Sequence, residues 1–241
     1  MGRASLDQSA YYERTAAGYA DAHMTPRDEH YVALEYASAL MRAIGAETVL
    51  DVGAGVGRGV SFVAQREPRM RVIGVEPSAA LIREASAGLT LVQGSGMSLP
   101  FPDKSVDVVV STGVLHHVPQ PNVVIAEMTR IARRAVFVSD ANRFGQGPLL
   151  ARLAKLVLCR IGLWETQVRI RTKGSGAFYS EGDGVFYSYS AYDSYASLEA
   201  WADRIFVIPT ARNRRRPHSP LLSAPSILVC AIREPGSFGV P

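Results

Sequence analysis

The chain has 241 residues, 47% of them hydrophobic and 20% charged, with a formal net charge of +4. That length can bury one substantial core, and the composition excludes disordered, collagen-like and disulfide-stapled classes. The two cysteines, Cys159 and Cys230, sit in the apolar runs "KLVLCRIG" and "SILVCAI", where they read as small buried hydrophobes of a reducing compartment.

The opening "MGRASLDQSAYYERT" has no apolar signal core, and no apolar run reaches membrane-spanning length. The expectation is a soluble, cytoplasmic chain with no integral membrane association. The late basic cluster of Arg212, Arg214, Arg215 and Arg216 has no interleaved aromatics, so nucleic acid is not an expected partner. It reads as a solvated loop or as a site for an anionic group.

In chain order, the first clear element is a helix over "TPRDEHYVALEYASALMRAIG". Thr25 suits the cap, Pro26 the first turn, Asp28 completes a capping-box spacing, and Gly45 ends the run. Val32, Leu34, Leu40, Met41 and Ile44 then face a core. Strand-like runs follow: "TVLDV", "RVIGV", "TLVQ", "VDVVVS" and "AVFVSD". Helical patterns lie between several of them: "GVSFVAQRE", "SAALIREAS" and "NVVIAEMTRIARR". Continuous apolar strands alternating with helices predict a parallel sheet covered on both faces. Beyond Asp140 the alternation stops. One long helical stretch, "GPLLARLAKLVLCRIGLW", leads to a Gly/Tyr/Ser-rich segment over 171–195, a short helix "SLEAWAD", and two last strands, "RIFVIP" and "SILVCAI", which are expected to pair antiparallel.

"VLDVGAGVGRG" raises the question of a ligand. A glycine loop that leaves a strand and opens a helix brings backbone close to a ligand and aims N–H groups at negative charge. The dinucleotide pattern G-x-G-x-x-G would need glycine at 58, where the chain has Arg58. What stands here is Asp51 followed by Gly53, Gly55 and Gly57. Glu76 ends the second strand, where a carboxylate can accept both hydroxyls of a ribose; it can also be a helix-start acid before "PSAALIREA".

Four segments, "VLDVGAGVGRG", "VIGVEPSAALI", "VQGSGMSLPFPDKSVDVVVSTGVLHHV" and "VVIAEMTRIARR", together resemble the class I S-adenosylmethionine-dependent methyltransferases in order and spacing, over about 31–140. The resemblance implies a doubly wound, seven-stranded, mostly parallel α/β sheet of Rossmann-like form with a terminal antiparallel hairpin. It implies S-adenosylmethionine as cofactor and S-adenosylhomocysteine as product. Asp51, Gly53, Ala54, Gly55 and Gly57 would border the methionine part, and Glu76 with Pro77 the ribose. Ser111 and Thr112 would line the sulfonium side. The family often has an acid where this chain reads Gly94, Ser95, Gly96. Without that charge, worth roughly 1.5 to 3 kcal/mol as a hydrogen bond, adenine is expected to rest on backbone near Ser95, Gly96 and Met97 with weaker affinity. "YYERTAAGY" resembles a helix that closes over the cofactor in relatives, which makes Tyr12 and Tyr19 lid residues. The expected organisation is a single domain over 1–241: a helical lid to 45, a cofactor core over 46–140, an acceptor-binding insert over 141–203 and terminal strands over 204–241.

Methyl transfer from a sulfonium needs positioning, and needs a base only when the acceptor must lose a proton. His116 and His117, in "VLHHVPQP", are the candidates, with Asp140 at the same rim; each histidine also reads as a loop brace. Asn142 and Arg143 read as acceptor contacts or as a capped turn. Asp140 and Asn142 are of the types that bind magnesium, yet no further acid lies close in sequence, and no metal is expected. Tyr179, Glu181, Asp183 and Tyr187 read either as an acceptor pocket with aromatic walls or as strand residues packed on the core. "LLARLAKLVLCRIGL" reads as a surface helix or as one dipping toward a lipid-linked acceptor.

The leading expectation is methylation of a hydroxyl on a small molecule, a sugar of a glycan or glycoconjugate precursor being one such acceptor. Carbon methylation of a lipid-quinone-type precursor and a non-catalytic adenosylmethionine-binding regulator are the alternatives. A homodimer is left open.

Overall fold

Strands that are apolar on both faces must be covered on both faces, and the connections that do so here are helices. The computed structural model describes residues 8–23, 28–211 and 220–234. Two helices come first, α1 (Gln8–His23) and α2 (Glu29–Ala43), followed by β1 (Thr48–Val52), α3 (Arg58–Arg66), β2 (Arg71–Glu76), α4 (Ala79–Arg83), β3 (Leu91–Gln93) and β4 (Val106–Thr112). Then come α5 (Pro121–Ile131), β5 (Ala132–Ala141), α6 (Leu149–Arg160), α7 (Trp164–Arg171) and the hairpin strands β6 (Ala177–Ser180) and β7 (Gly184–Tyr187). The chain closes with α8 (Tyr195–Trp201), β8 (Arg204–Pro209), α9 (Pro220–Ser223) and β9 (Ser226–Ile232).

The described strands form a seven-stranded sheet in the order β3-β2-β1-β4-β5-β9-β8, and β6 pairs with β7 in a separate two-stranded sheet. β1 to β5 are parallel, while β9 slots between β5 and β8 and runs antiparallel to both. The seven-stranded α/β sheet with its antiparallel end is thus as the resemblance implies. Strand order reverses between β1 and β4. Their outgoing loops diverge there, leaving a crevice at the carboxyl ends of the strands, where such sheets bind ligands.

Alternation along each strand sends neighbours to opposite layers. Leu50, Val109, Val136 and Val138 meet Ile125 and Met128 of α5 on one face. Val49, Val108, Val110 and Phe137 meet Leu34, Ala37 and Met41 of α2 on the other. Each fully buried aliphatic side chain contributes on the order of 1.5–3 kcal/mol, so both layers hold the rim of the crevice firmly.

Several local expectations are revised. Asp28 caps α2 itself, its carboxylate accepting from His30 N and Tyr31 N, and helix starts at Glu29. Thr25 and Pro26 lie outside the described residues, as do Arg212, Arg214, Arg215 and Arg216. The run "ARR" is strand: α5 stops at Ile131, and Ala132 is extended at φ −71°, ψ 134°. The long helix after Asp140 is two, α6 and α7, parted at Gly162 with φ +75°. Cys159 is half-buried on α6, a helix with no fully buried side chain, whereas Cys230 is buried on β9 and its thiol is pushed up to about 12 by that burial. Among the described residues no helix is long and apolar enough to cross a membrane.

Candidate active site

The loop after β1 is tied to the end of β2: Gly53 N and Ala54 N both donate to Val75 O, at 2.8 and 3.0 Å. Gly57 closes the turn onto Ala54 O at 2.8 Å and starts α3 at φ +84°, a left-handed conformation that disfavours any side chain. Gly59 is required for a different reason. A Cβ there would sit 2.3 Å from Asp51 Oδ2, so the first turn of α3 can close over the aspartate only as glycine.

This loop floors a cavity of about 380 Å³ at the carboxyl ends of β1, β2 and β4, a size typical of small-molecule sites. Asp51, Gly53, Ala54, Gly55, Glu76, Pro77, Ser95, Gly96, Met97 and Thr112 all line it, with Tyr12 and Tyr19 from α1 and His116, His117 and Asp183 toward the other end. A side chain at Gly55 would meet no protein atom within 4 Å, so the loop keeps open space over its own backbone.

Two carboxylates define the charge of the floor. Glu76, 4% exposed, accepts from Gly55 N at 2.9 Å through one oxygen and from Ser78 N at 2.8 Å through the other. Each oxygen keeps lone pairs for a ligand. Burial pushes its pKa up despite these two bonds. Asp51, 3% exposed, is pushed up to about 7 by burial, against the pull of Arg58. A floor with two buried carboxylates favours a ligand that brings hydroxyl donors and positive charge.

α1 is stitched to the β6–β7 hairpin by polar contacts. Gln8 Nε2 donates to Asp183 O at 3.3 Å, its Oε1 accepts from Val185 N at 2.6 Å, and the Tyr11 hydroxyl donates to Glu181 O at 3.2 Å. Tyr12 and Tyr19 stand edge-on to each other at 5.7 Å and pack on Val56, Ala80 and Leu81. Burial raises the pKa of both hydroxyls, so they remain protonated donors.

At the opposite end, Asp140 lies behind His116. Its Oδ1 is 2.8 Å from His116 Nδ1, and its Oδ2 accepts from Leu115 N and His116 N at 3.0 and 3.3 Å. Burial would raise the Asp140 carboxyl, but the His116 ring beside it holds it down. Burial likewise works against a charged His116, yet Asp140 and Asp183 carry its pKa up to about 10. His117 Nδ1 lies 2.7 Å from Val185 O.

Other expected site residues lie away from the cavity. Ser111 is fully buried and its hydroxyl donates to Val52 O at 3.0 Å, bracing β4 against β1. Asn142, just past β5, is a staple: its Nδ2 donates to Leu221 O at 2.8 Å and Ala224 O at 2.7 Å, while Oδ1 accepts from Phe144 N at 3.0 Å. Arg143 donates to Ser188 O at 2.7 Å, pairs with Asp193 and lies over the Trp164 ring. Tyr179 stands outside, edge-on to Tyr11, and neither Glu181 nor Tyr187 lines the cavity. Of the Gly/Tyr/Ser-rich segment, Asp183 at the β6–β7 turn is the residue that reaches in. Sequence reasoning missed Gln8, His30 and Arg58, which also line it. Gly113 at φ +69° leaves room for the His30 ring, whose Cε1 would lie 2.5 Å from a Cβ there, but no local motif announces the pairing.

Residues 50–138 match the family model described as a methyltransferase domain. Over that stretch the chain is similar to methyltransferase domains. An uncharacterized methyltransferase of Mycobacterium sp. (strain JLS) is 45% identical over 92 residues, covering 37% of this chain and 36% of that protein. One from Mycobacterium leprae (strain Br4923) is 36% identical over 105 residues, covering 42% and 38%. The matched stretch thus spans little more than a third of these curated relatives. In three dimensions, the magnesium protoporphyrin IX methyltransferase from Synechocystis PCC 6803, solved with bound SAM, superposes with a TM-score of 0.59 at 17% identity, covering 97% of this chain and 100% of that one. At that identity the likeness shows the fold alone.

Proposed function

We propose that the chain is an S-adenosylmethionine-dependent methyltransferase acting on a hydroxyl of a small molecule. One observation carries this reading: a single cavity joins the carboxylate floor at Asp51 and Glu76 to the His116, His117 and Asp183 cluster at its other end. Glu76 offers its free lone pairs to a ribose diol. Asp51 and the loop at Gly53 and Gly55 offer negative charge and close-lying backbone to an amino-acid portion. Ser95 Oγ already accepts from Met97 N at 3.2 Å, so backbone and apolar contact at Gly96 and Met97 would hold the base. S-adenosylmethionine, when bound, supplies an electrophilic methyl group. The lone pairs of His117 Nε2 and the Asp183 carboxylate converge at the far end, as an acceptor O–H needs in order to be oriented and to lose its proton. Tyr12, Tyr19 and the stitched lid exclude water from the space between. The tyrosines at 179, 187, 189, 192 and 195 do not line this cavity among the described residues, so they lend no support to a sugar ring as the acceptor.

His117→Ala tests the hydroxyl reading. It is expected to lower turnover at least about 100-fold, the lower end of general acid–base contributions, while S-adenosylhomocysteine still binds within a few-fold of the unaltered protein. Calorimetry and a methyl-transfer assay on the same preparation separate the two effects. A second reading, carbon methylation of an amphiphilic lipid-quinone-type precursor, draws on α6 and the turn after it, where Leu149, Leu150, Val157 and Ile161 are exposed. A carbon acceptor does not present a hydroxyl to deprotonate, so turnover that survives His117→Ala would point to it.

A further inference from the structure

The acceptor end of the cavity is organised beyond what a single base requires. His116 Nδ1 faces a carboxylate and His117 Nδ1 faces a carbonyl. An ionised carboxylate and a carbonyl only accept, so both Nδ1 atoms carry a hydrogen and the Nε2 atoms are the ones left to ligate; the Asp140 and Asp183 carboxylates favour a proton on His116 Nε2 in the metal-free protein, which a bound metal ion would displace. Both Nε2 atoms turn toward Asp183: His116 Nε2 is 3.6 Å from its Oδ2, and His117 Nε2 is 3.4 Å from its Oδ1. These separations are too long for good hydrogen bonds. The ligating atoms of all three residues nevertheless lie within 4.8 Å of one another.

We propose that His116 Nε2, His117 Nε2 and the Asp183 carboxylate bind a divalent first-row transition-metal ion at the acceptor end of the cavity. The spacing fits: tetrahedral bonds of about 2.0–2.1 Å place neighbouring ligand atoms about 3.3 Å apart. The surroundings fit as well. Metal-bound histidines donate their other N–H to a carboxylate or a backbone carbonyl, which fixes the tautomer, and this cluster has one of each in Asp140 and Val185. The turn that carries Asp183 is held in place by Gln8 through Asp183 O and Val185 N, so the third ligand is positioned by the lid rather than by the metal.

Two imidazoles and one carboxylate select Zn²⁺, Fe²⁺ or Co²⁺ over Mg²⁺ and Ca²⁺, which prefer oxygen. All three side chains line the cavity, so an ion held by them would lie within reach of an acceptor bound in it. A catalytic use of the ion rests on the hydroxyl-acceptor reading; the binding itself does not. There the ion would lower the pKa of an acceptor hydroxyl so that it gives its proton to water; the oxygen would then form its bond to the methyl carbon as the sulfur–methyl bond breaks and S-adenosylhomocysteine leaves with that bond's electron pair.

The test begins with full-length protein treated with a chelator and then titrated with Co²⁺, followed by visible absorption, and with Zn²⁺ by calorimetry, Mg²⁺ serving as the control. One equivalent of Co²⁺ or Zn²⁺ is expected to bind and to raise the unfolding temperature, with affinity at least about tenfold weaker in both Asp183→Asn and His117→Ala. Asp183 is half-exposed at a hairpin tip, so its variant keeps the test open if the histidine variant does not fold. Absence of saturable binding, or binding equal in Asp183→Asn and the unaltered protein, overturns the proposal. Titrating S-adenosylhomocysteine into the same samples keeps the readings apart: metal without nucleoside binding supports the metal site and fails the methyltransferase reading, and nucleoside without metal does the reverse.

Discussion

Glu76→Ala is expected to weaken S-adenosylhomocysteine binding at least about 100-fold, the equivalent of two charge-assisted hydrogen bonds at roughly 1.5 kcal/mol or more each. The effect has two parts, both visible in the contacts of this side chain. Its oxygens bind Gly55 N and Ser78 N, so the carboxylate fixes the glycine loop and the start of α4 while its remaining lone pairs face the cavity. Glu76→Gln separates the parts poorly and for an instructive reason: an amide has one acceptor oxygen, and its NH₂ would confront one of the two backbone N–H groups. Both variants are therefore expected to lose most of the affinity, as measured by isothermal titration. Binding within a few-fold of the unaltered protein would remove Glu76 from the nucleoside site.

Asp51→Asn is expected to stabilise the ligand-free protein and weaken its ligand binding. Burial pushes the Asp51 carboxyl up to about 7, well above the ordinary value near 3.9 of an unfolded chain. An acid raised in the folded state binds more protons folded than unfolded, so stability falls as pH rises from about 4 to about 7 and stays lower above. The asparagine removes that dependence. At pH 8 its advantage is on the order of 2–4 kcal/mol, about 5–10 °C in unfolding temperature for a chain of this length, and it vanishes toward pH 4. Thermal unfolding at the two pH values checks the sign, and titration of S-adenosylhomocysteine at pH 8 checks the lost affinity. An equal or lower unfolding temperature at pH 8 would contradict an aspartate whose burial outweighs the pull of Arg58.

The sheet was legible because its strands are continuous apolar runs and the glycine loop and Glu76 sit at fixed places relative to them. What escaped notice has physical causes. Alanine and arginine are good helix formers, so "ARR" read as helix, but Ala132 is buried and paired with Val106 of β4. The apolar pattern runs through Gly162, so the break between α6 and α7 left no periodic signal. Ser111 and Thr112 are neighbours on a strand and so face opposite ways; Thr112 faces the cavity and Ser111 the backbone of β1. The Gly/Tyr/Ser-rich segment was recognised as distinctive, but its contribution through Asp183 depends on a hairpin folding back over residues far earlier in the chain. Gln8 stands beside the "YYERTAAGY" segment and His30 inside a capped helix, but neither residue carries a local motif of its own. Local patterns thus pointed to the floor and to Tyr12, Tyr19, His116, His117 and Asp183, while the contacts that bring Gln8 and His30 to the cavity follow from long-range packing.

The central claim is that the carboxylate floor holds the nucleoside of S-adenosylmethionine. Isothermal titration of the protein with S-adenosylhomocysteine, with NADH in a parallel cell, tests it most directly. Saturable one-to-one binding of S-adenosylhomocysteine and none of NADH is the result predicted by Asp51, the glycine loop and Glu76 acting together. Binding of NADH, or of neither, would contradict it.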